Sequence, residues 1–186
     1  MIKLIIIDNY DSFTYNLVHY LEPYCKEITI FRNDEINHDL ISDEHKILLS
    51  PGPGLPSENK ELNYSIEKYH LTNNILGVCL GFQAIGQFFG AELHNLKKVR
   101  HGIQTQIEIL NHDFLFKNVP NNINIGHYHS WVIKNVPKQL KVTALDFENY
   151  AMAFRHLDLK ISGIQFHPES ILTDYGKQIL QNWIIS

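Results

Sequence analysis

One segment, residues 74–90, joins a buried strand to a helix through a single cysteine. Residues 75–78 form a short apolar run between polar neighbours, which predicts a buried strand. Residues 83–89 have the spacing of a helix. Cys79 stands between them, and we expect the two residues after it to make a sharp reversal. A sulfur at such a turn lies beside the positive end of a helix, which favours the nucleophilic thiolate. Cys79 is therefore our candidate nucleophile.

The first half of the chain alternates apolar runs with helical patterns. Runs typical of strands that are buried on both faces lie at residues 2–7, 28–31, 46–49 and 75–78. Helical spacing follows at residues 13–21, where Asp11 or Ser12 is the expected cap, and at residues 58–70. This alternation predicts an α/β fold, a mostly parallel central sheet with helices on both faces. In such a sheet the ligand site lies beyond the carboxyl ends of the strands.

The pattern changes in the second half of the chain. Short alternating runs replace helical spacing, which predicts a small antiparallel β insertion after the parallel half. These runs lie at residues 105–109, 131–133, 140–144 and 151–154. We expect a strand at residues 161–166 to return to the main sheet, and a closing amphipathic helix at residues 173–185 with Thr173 or Asp174 as its cap. Residues 1–186 are therefore predicted to form one domain.

Composition argues against several classes of function. Hydrophobic residues make up 44% of the 186 residues, as in ordinary globular proteins. A formal net charge of −4, without a run of lysine or arginine, argues against nucleic-acid binding. No apolar stretch approaches the roughly 18 residues that span a bilayer. A disulfide between the only two cysteines, Cys25 and Cys79, is one alternative, but we expect reduced thiols and a cytoplasmic protein.

A nucleophilic cysteine needs a base, and the base needs an acceptor that orients it. His167 and Glu169 stand two residues apart at the end of a predicted strand, so both side chains are expected on one face. We expect His167 to accept the proton of Cys79 and Glu169 to fix the tautomer of His167.

The loop Ser-Pro-Gly-Pro-Gly at residues 50–54 follows another predicted strand. Gly52 and Gly54 let its backbone approach a substrate closely, whereas Pro53 has no N–H and only shapes the loop. The backbone amides of Gly54 and Leu80 are candidate oxyanion donors. Taken singly, each motif is more often a buried cysteine, a turn or a rigid loop. Together they supply a nucleophile, a base, an orienting carboxylate and oxyanion donors at one edge of the sheet.

Five stretches then carry a resemblance that covers the chain from end to end. They are Asp-Asn-Tyr-Asp-Ser-Phe-Thr-Tyr-Asn at 8–16, Leu-Ser-Pro-Gly-Pro-Gly at 49–54, Gly-Val-Cys-Leu-Gly at 77–81 with Gln83 and Ala84, Tyr-His-Ser at 128–130, and Gln-Phe-His-Pro-Glu-Ser-Ile-Leu-Thr at 165–173. The chain resembles the class I (triad-type) glutamine amidotransferases, and among them the glutaminase subunits of anthranilate synthase and aminodeoxychorismate synthase. The resemblance implies a flavodoxin-like core.

The resemblance also implies a reaction. Cys79 would attack the side-chain amide of glutamine, His167 would pass the proton to the leaving ammonia, and Glu169 would orient His167. Water would hydrolyse the resulting glutamyl thioester to glutamate. The backbone amides of Gly54 and Leu80 would form the oxyanion hole. The residues implied to line the glutamine site are Gly52, Pro53, Gly54, Gln83, Ser130 and Trp131.

A partner protein is implied as well. Ammonia would pass to a larger chorismate-binding synthase subunit, and the loop at residues 9–13 would lie near it. No cofactor and no metal site are expected in this chain, and Mg²⁺ is expected on the partner. Neither nucleic acid nor a membrane is an expected partner.

The pathway is left open between alternatives. Anthranilate synthase, in tryptophan biosynthesis, is the leading hypothesis. The same role in aminodeoxychorismate synthase, in para-aminobenzoate and folate biosynthesis, or a subunit shared by both, is the alternative. A catalytically silent regulatory subunit and a small cysteine peptidase are further alternatives. The intact Cys79, His167 and Glu169 argue against the first, and the Pro-Gly-Pro-Gly loop against the second.

Among the positions that depart from the family pattern are Phe82, Trp131 and His127. Phe82 stands where a polar residue is common, so we expect a changed contact near the partner or along the nucleophile helix. Trp131 replaces the more frequent leucine, although its backbone still suits the substrate. His127 replaces a frequent arginine, so a positive charge is missing at neutral pH. A metal site on His127 and His129 is an alternative that we rate below simple hydrogen bonding.

Overall fold

The computed structural model describes residues 2–186, which are built around one nine-stranded sheet. The strands are β1 (Ile2–Asp8), β2 (Cys25–Arg32), β3 (His45–Leu49), β4 (Asn74–Val78), β5 (Glu92–Ile109), β6 (Asn122–Lys134), β7 (Leu140–Asp146), β8 (Ala151–His156) and β9 (Ile161–Ile164). The helices are α1 (Thr14–Leu21), α2 (Lys60–Tyr69), α3 (Leu80–Phe88) and α4 (Gly176–Ile185). Short 3₁₀ turns lie at Glu22–Tyr24, His38–Leu40 and Pro56–Glu58.

The sheet has a parallel half and an antiparallel half. The strand order is β2-β1-β3-β4-β9-β8-β7-β5-β6, and every pairing from β2 to β9 is parallel. From β9 to β6 every pairing is antiparallel. The last strand, β9, returns to lie beside β4, as the sequence predicts. The carboxyl ends of β1, β3, β4 and β9 therefore meet at one edge of the sheet.

Helices cover both faces of the parallel half. On one face, alternate residues such as Leu4 and Leu48 pack with α1 and α4. On the other face, their neighbours Ile5 and Ile47 pack with α2 and α3. Successive side chains of a strand point to opposite faces, so both sets are buried and the strands have continuous apolar sequences. The predicted α/β architecture is confirmed.

The antiparallel strands extend well beyond the runs that predicted them. β5 has 18 residues and β6 has 13. β7 pairs with β5 only at residues 107–109, so the rest of β5 has β6 as its neighbour in the sheet. Residues 101–104 of β5 are exposed. A two-stranded projection in water needs no alternating apolar residues, which is why the sequence pattern did not indicate it.

Two helices begin after the residues that were predicted to cap them. α1 begins at Thr14 with Phe13 at its N-cap, instead of Asp11 or Ser12. Asp11 acts before the helix begins, because its carboxylate accepts a hydrogen bond from the N–H of Phe13 at 2.8 Å. α4 begins at Gly176, after Tyr175 in the left-handed conformation, so Thr173 and Asp174 lie in the preceding turn. The side chains of this turn bond to β6 instead of capping the helix.

Strand β4 and helix α3 approach each other across the turn at Cys79 through two glycines. A Cβ atom on Gly77 would lie 2.5 Å from the carbonyl carbon of Gly81. A Cβ atom on Gly81 would lie 2.5 Å from the backbone oxygen of Leu49. Backbone atoms cannot move aside as a flexible side chain can, so both positions require glycine. The helix is thereby seated directly on strands β3 and β4.

The position of Phe82 corrects one expectation. Phe82 is completely buried, and its ring stacks on Phe154 with the centroids 4.6 Å apart. A partner cannot contact this side chain, so the expected change near a partner surface is wrong. The changed contact lies on the inner side of α3, where the Phe82 ring fills the space above Gly163.

Two further findings concern the whole chain. Cys25 and Cys79 are both free thiols, as expected. Within residues 2–186, none of the helices has the length and apolar content to cross a membrane.

The glycine contact predicts an asymmetric response to an added methyl group. We expect Gly81→Ala to lower the free energy of unfolding by about 3 kcal/mol, because the methyl group would overlap backbone that cannot move aside. Gly90→Ala is the matched control, since Gly90 has φ +105° and no atom near its would-be Cβ. This control should lose about 1 kcal/mol through backbone strain alone. Urea denaturation measures both, and equal losses would contradict the packing argument.

Candidate functional site

Cys79 lies in a strained turn between β4 and α3. Its backbone has φ +51° and ψ −97°, a region that residues with a side chain rarely adopt. The reversal takes place at Cys79 itself, because Leu80 and Gly81 are already helical. The expectation that these two residues make the turn is therefore wrong. Two backbone hydrogen bonds hold the strained residue: its N–H donates to Ile164 at 2.9 Å, and its carbonyl accepts from Gln83 at 3.0 Å.

His167 and Glu169 form a buried pair beyond the end of β9. Nδ1 of His167 lies 2.6 Å from Oε1 of Glu169, and both side chains are almost completely enclosed. The strand ends at Ile164, two residues earlier than predicted, so the two side chains do not share a strand face. A turn brings them together instead. The His167 carbonyl accepts from the hydroxyl of Thr173 at 2.6 Å and from the N–H of Ser170 at 3.2 Å.

The charge on His167 is set by its two neighbours. Burial opposes the imidazolium, but the neighbouring Cys79 and Glu169 favour it more strongly and raise the pKa of His167 well above 6.5. A ring whose pKa is raised beside the Cys79 sulfur is arranged to donate a proton to a leaving group after the sulfur has attacked.

A cavity of about 210 Å³ opens in front of the sulfur. It is lined by Cys79 and by every residue that we assigned from the sequence to the oxyanion and substrate sites. Those residues are Gly52, Pro53, Gly54, Leu80, Gln83, Ser130 and Trp131. His167 lines an adjoining cavity of about 290 Å³, which shares Cys79 with the first. A larger cavity, of about 590 Å³, contains none of these residues.

The two predicted oxyanion donors have free N–H groups. Leu80 is the first residue of α3, whose first-turn N–H groups have no partner within the helix. Gly54 has φ +78° and ends the loop after β3. Within residues 2–186, neither N–H donates to a protein acceptor. Both residues line the cavity in front of Cys79, so both N–H groups are available to an oxyanion there.

The loop that holds Gly54 is fixed by a residue of the first loop. The N–H of Asn9 donates to Oγ of Ser50 at 2.8 Å, and the Asn9 side-chain amide donates to the Ser50 carbonyl at 2.8 Å. Both residues are buried. The segment after β1 therefore supports the segment after β3. This support was not predicted, because two residues 41 positions apart give no local signal.

Four residues that line the substrate cavity were not assigned to it from the sequence: Val99, His101, Tyr128 and His129. Tyr128 packs edge-on against the His167 ring, with the centroids 4.9 Å apart, and its hydroxyl lies 3.1 Å from Oγ of Ser170. Tyr128 and His129 belong to the Tyr-His-Ser motif of the sequence analysis, which did not indicate where the two side chains lie in the structure. Val99 and His101 come from the exposed part of β5, where the residues follow no alternating pattern.

Gln165 is another residue that the sequence did not place. Its Nε2 lies 3.7 Å from Sγ of Cys79, and its Oε1 accepts a hydrogen bond from Gln83 at 3.1 Å. The side chain is completely buried. Gln165 thus links the Cys79 sulfur to Gln83, which lines the cavity.

His127 and His129 bond to each other. Nδ1 of His127 lies 2.9 Å from Nε2 of His129. Burial lowers the pKa of His127 to about 4 and that of His129 to about 3, with a further contribution from the charge of Arg100. Both rings are therefore neutral at pH 7. Residues 2–186 contain no group of three or more His, Cys, Asp or Glu side chains placed to hold a metal ion.

The contacts of His167 predict how its titration responds to a mutation. Glu169→Gln removes a negative charge that raises the pKa of His167, so this pKa should fall. Titration of the labelled histidines by NMR measures the change. Glu44→Gln is the control, because Glu44 is exposed and pairs with Lys3. If the titration midpoint of His167 is the same in Glu169→Gln and Glu44→Gln, the interaction assigned to His167 and Glu169 is contradicted.

The neutral histidines predict a stability that depends on pH. The folded pKa of His127, about 4, lies below the unfolded value of 6.5, so the unfolded state binds more protons between these values. Stability should therefore decrease as the pH falls from 7 to 4. We expect His127→Gln to reduce this loss by roughly 2 kcal/mol, since a tenfold change in a proton-binding constant corresponds to about 1.4 kcal/mol. Urea denaturation of both proteins at pH 7 and pH 4 measures the loss of stability. An equal loss in the unmodified protein and in His127→Gln would refute the prediction.

Comparisons with known proteins agree with the geometry. The model of the family glutamine amidotransferase class-I matches residues 5–186. The putative anthranilate synthase component II of Haemophilus influenzae is 40% identical over 184 residues, which cover 98% of this chain and 95% of that protein. The aminodeoxychorismate/anthranilate synthase component 2 of Bacillus subtilis is 41% identical over 187 residues, covering 97% and 95%.

A solved structure agrees as well. The crystal structure of a putative GMP synthase protein from Thermoplasma acidophilum superposes with a TM-score of 0.87 at 28% identity, covering 99% of this chain and 92% of that one. The resemblance and the fold class inferred from the sequence are both confirmed. This chain belongs to the class-I glutamine amidotransferase family and is an enzyme of that family.

Proposed function

We propose that the chain is a glutaminase subunit that hydrolyses glutamine through Cys79, His167 and Glu169 and delivers ammonia to a chorismate-aminating partner. One observation carries the proposal: a thiol in a strained turn lies between a buried His-Glu pair and a cavity with two free backbone N–H groups. Nucleophile, proton carrier and oxyanion donors are the groups that amide hydrolysis needs.

The reaction begins with attack of the Cys79 thiolate on the side-chain amide carbon of glutamine. The carbonyl oxygen gains negative charge, which the N–H groups of Gly54 and Leu80 stabilise. Protonated His167 then gives its proton to the departing nitrogen, and ammonia leaves. The thioester that remains is attacked by water, with His167 now as the base, and glutamate is released. Glu169 keeps the imidazole oriented through both steps.

The cavity supports a small amide substrate. Its walls are the loop at Gly52 and Gly54, the start of α3, and the backbone around Ser130 and Trp131. A volume of about 210 Å³ suits a single amino acid, whereas a peptidase has to hold residues on both sides of the scissile bond. The geometry therefore favours glutamine over a peptide. No cofactor takes part on this chain, and the Mg²⁺ of the proposed complex belongs to the partner.

Exposed aromatic and aliphatic side chains support a partner beside the site. Tyr10, Phe13 and Tyr15 are 48%, 43% and 71% exposed, and Ile171 is 97% exposed. Tyr10 and Phe13 line the cavity that His167 also lines, and Phe13 packs near Tyr128, whose hydroxyl contacts Ser170, the residue before Ile171. Apolar side chains in water at the mouth of a site are typical of a protein interface. The loop at residues 9–13 accordingly remains our proposed contact with the synthase subunit.

The names of the relatives leave two pathways. One relative is named for anthranilate synthase, and the other for both anthranilate and aminodeoxychorismate synthase. A site that binds glutamine does not distinguish the two products, because chorismate binds elsewhere. Anthranilate synthase is our first proposal, and aminodeoxychorismate synthase, or service to both, is the second. A silent regulatory role is not favoured, because the chain has Cys79, His167 and Glu169, the side chains that the proposed reaction needs.

The test uses the complex of this chain with its native synthase subunit. We expect Cys79→Ser to lower glutamine-dependent amination of chorismate by at least about a thousandfold, because the hydroxyl is a weak nucleophile at neutral pH. Amination with added ammonia should be unchanged, since ammonia enters after the glutaminase step. Cys25→Ser is the matched control and should keep both activities.

The outcomes separate the alternatives. If Cys79→Ser still uses glutamine, the nucleophile is assigned wrongly. If the unmodified complex releases no glutamate from glutamine, the subunit is silent. Chromatography of the product of chorismate amination identifies anthranilate or aminodeoxychorismate, and so decides the pathway.

A further inference from the structure

A chain of hydrogen bonds runs behind the substrate cavity. The Thr105 hydroxyl on β5 lies 2.7 Å from Nε2 of His127 on β6. Nδ1 of His127 lies 2.9 Å from Nε2 of His129, and Nδ1 of His129 lies 2.9 Å from the carbonyl oxygen of Trp131. His127 is completely enclosed and His129 is 6% exposed. The proposed reaction uses neither ring.

Elementary hydrogen-bond chemistry determines which atom donates in each hydrogen bond of this series. The Trp131 carbonyl only accepts, so Nδ1 of His129 must carry the proton. A neutral imidazole has one N–H, so Nε2 of His129 accepts and Nδ1 of His127 donates. Nε2 of His127 then accepts, and the Thr105 hydroxyl is the donor. Both rings are neutral, as their lowered pKa values require, so one arrangement of protons satisfies every contact.

The same carbonyl connects the histidines to the nucleophile. Nε2 of Gln83 donates to the Trp131 oxygen at 2.9 Å and to Oε1 of Gln165 at 3.1 Å. The Gln165 amide in turn faces Sγ of Cys79 at 3.7 Å. Gln83, His129 and Trp131 all line the cavity in front of that sulfur. The Trp131 carbonyl is therefore held by two donors, Gln83 from α3 and His129 from β6.

We propose that His127 is a positioning residue: its Nδ1–H locks His129 in the Nδ1–H tautomer, and the locked ring holds the Trp131 segment in the shape that accepts glutamine. The substrate named here rests on the proposed function. The lock itself depends only on the contacts among Thr105, His127, His129 and Trp131.

Loss of the lock has a defined consequence. Without a donor opposite it, Nε2 of His129 becomes a buried acceptor with no partner, so the ring no longer stays in its contact with the Trp131 carbonyl and can take the other tautomer. The carbonyl then loses one of its two donors, so the Trp131 segment is free to shift. Cys79 and His167 are held by β4, α3 and the turn after β9, and they should stay in place. The effect should therefore appear in glutamine binding, more than in the chemical step.

Two variants of His127 separate positioning from packing. His127→Leu fills a similar volume but neither donates nor accepts. His127→Gln keeps both a donor and an acceptor and should restore the lock. In the complex with the synthase subunit, we expect the Leu variant to raise the KM for glutamine about tenfold with kcat within about twofold of the unmodified protein. The Gln variant should remain within about twofold in both.

A spectroscopic measurement tests the lock without any reaction. Long-range ¹H–¹⁵N spectra of the full chain labelled in histidine distinguish the two tautomers of each ring. The unmodified protein should show the Nδ1–H tautomer for both His127 and His129 at pH 7. His127→Leu should add the Nε2–H tautomer of His129, and His127→Gln should not.

Each outcome decides one question. An Nε2–H or doubly protonated His129 in the unmodified protein overturns the proposal before any variant is made. An unchanged KM in His127→Leu overturns it as well, and so does an equal loss of kcat in both variants, which would indicate packing alone. If the unmodified complex hydrolyses no glutamine, the proposed function fails, and the tautomer spectra still decide whether the lock exists.

Discussion

The close approach of β4 and α3 through Gly77 and Gly81 determines the geometry of the site. With no side chain at either position, the helix begins directly against the strand, and the single residue between them has to make the reversal. That residue is Cys79, whose left-handed backbone costs on the order of 1–3 kcal/mol and persists because the packing on both sides leaves no alternative. Strain at this point places the sulfur at the start of α3, where free N–H groups and the helix dipole favour negative charge.

The rest of the sheet brings the other groups to this sulfur. β9 pairs with β4, so the turn after β9 begins next to the turn after β4. β6 lies at the far end of the strand order, yet its backbone bonds to the turn that carries His167. The N–H of His167 donates to Gly126 at 3.3 Å, and the N–H of Asp174 donates to Asn124 at 2.9 Å. The antiparallel half therefore curves back over the carboxyl edge of the parallel half and supplies the outer wall of the cavity.

The sequence predicted the elements of the parallel half well, because strands that are buried on both faces have continuous apolar runs. It also singled out Cys79, His167 and Glu169 as the candidate catalytic side chains, because their chemistry is distinctive. The predicted reason for the contact between His167 and Glu169 was wrong, because a turn brings the two side chains together and not a shared strand face. Such a turn is held by contacts with Thr173 and with β6, and contacts of this kind leave no periodic signal. The same reason explains why the exposed part of β5, with Val99 and His101, was not recognised.

Three buried histidines near one cavity show how environment, and not residue type, determines charge. All three lose hydration, which by itself lowers the pKa of each ring. His167 has Glu169 on one nitrogen and Cys79 nearby, and these negative partners reverse the direction of the shift. His127 and His129 have only each other, a carbonyl and a hydroxyl, and the buried Arg100 adds a positive charge nearby. In the proposed reaction one ring is the proton carrier, while the other two stay neutral and keep a fixed pattern of donors and acceptors. Both states are useful in amide hydrolysis, because the reaction needs a mobile proton at the sulfur and an unchanging wall around the substrate.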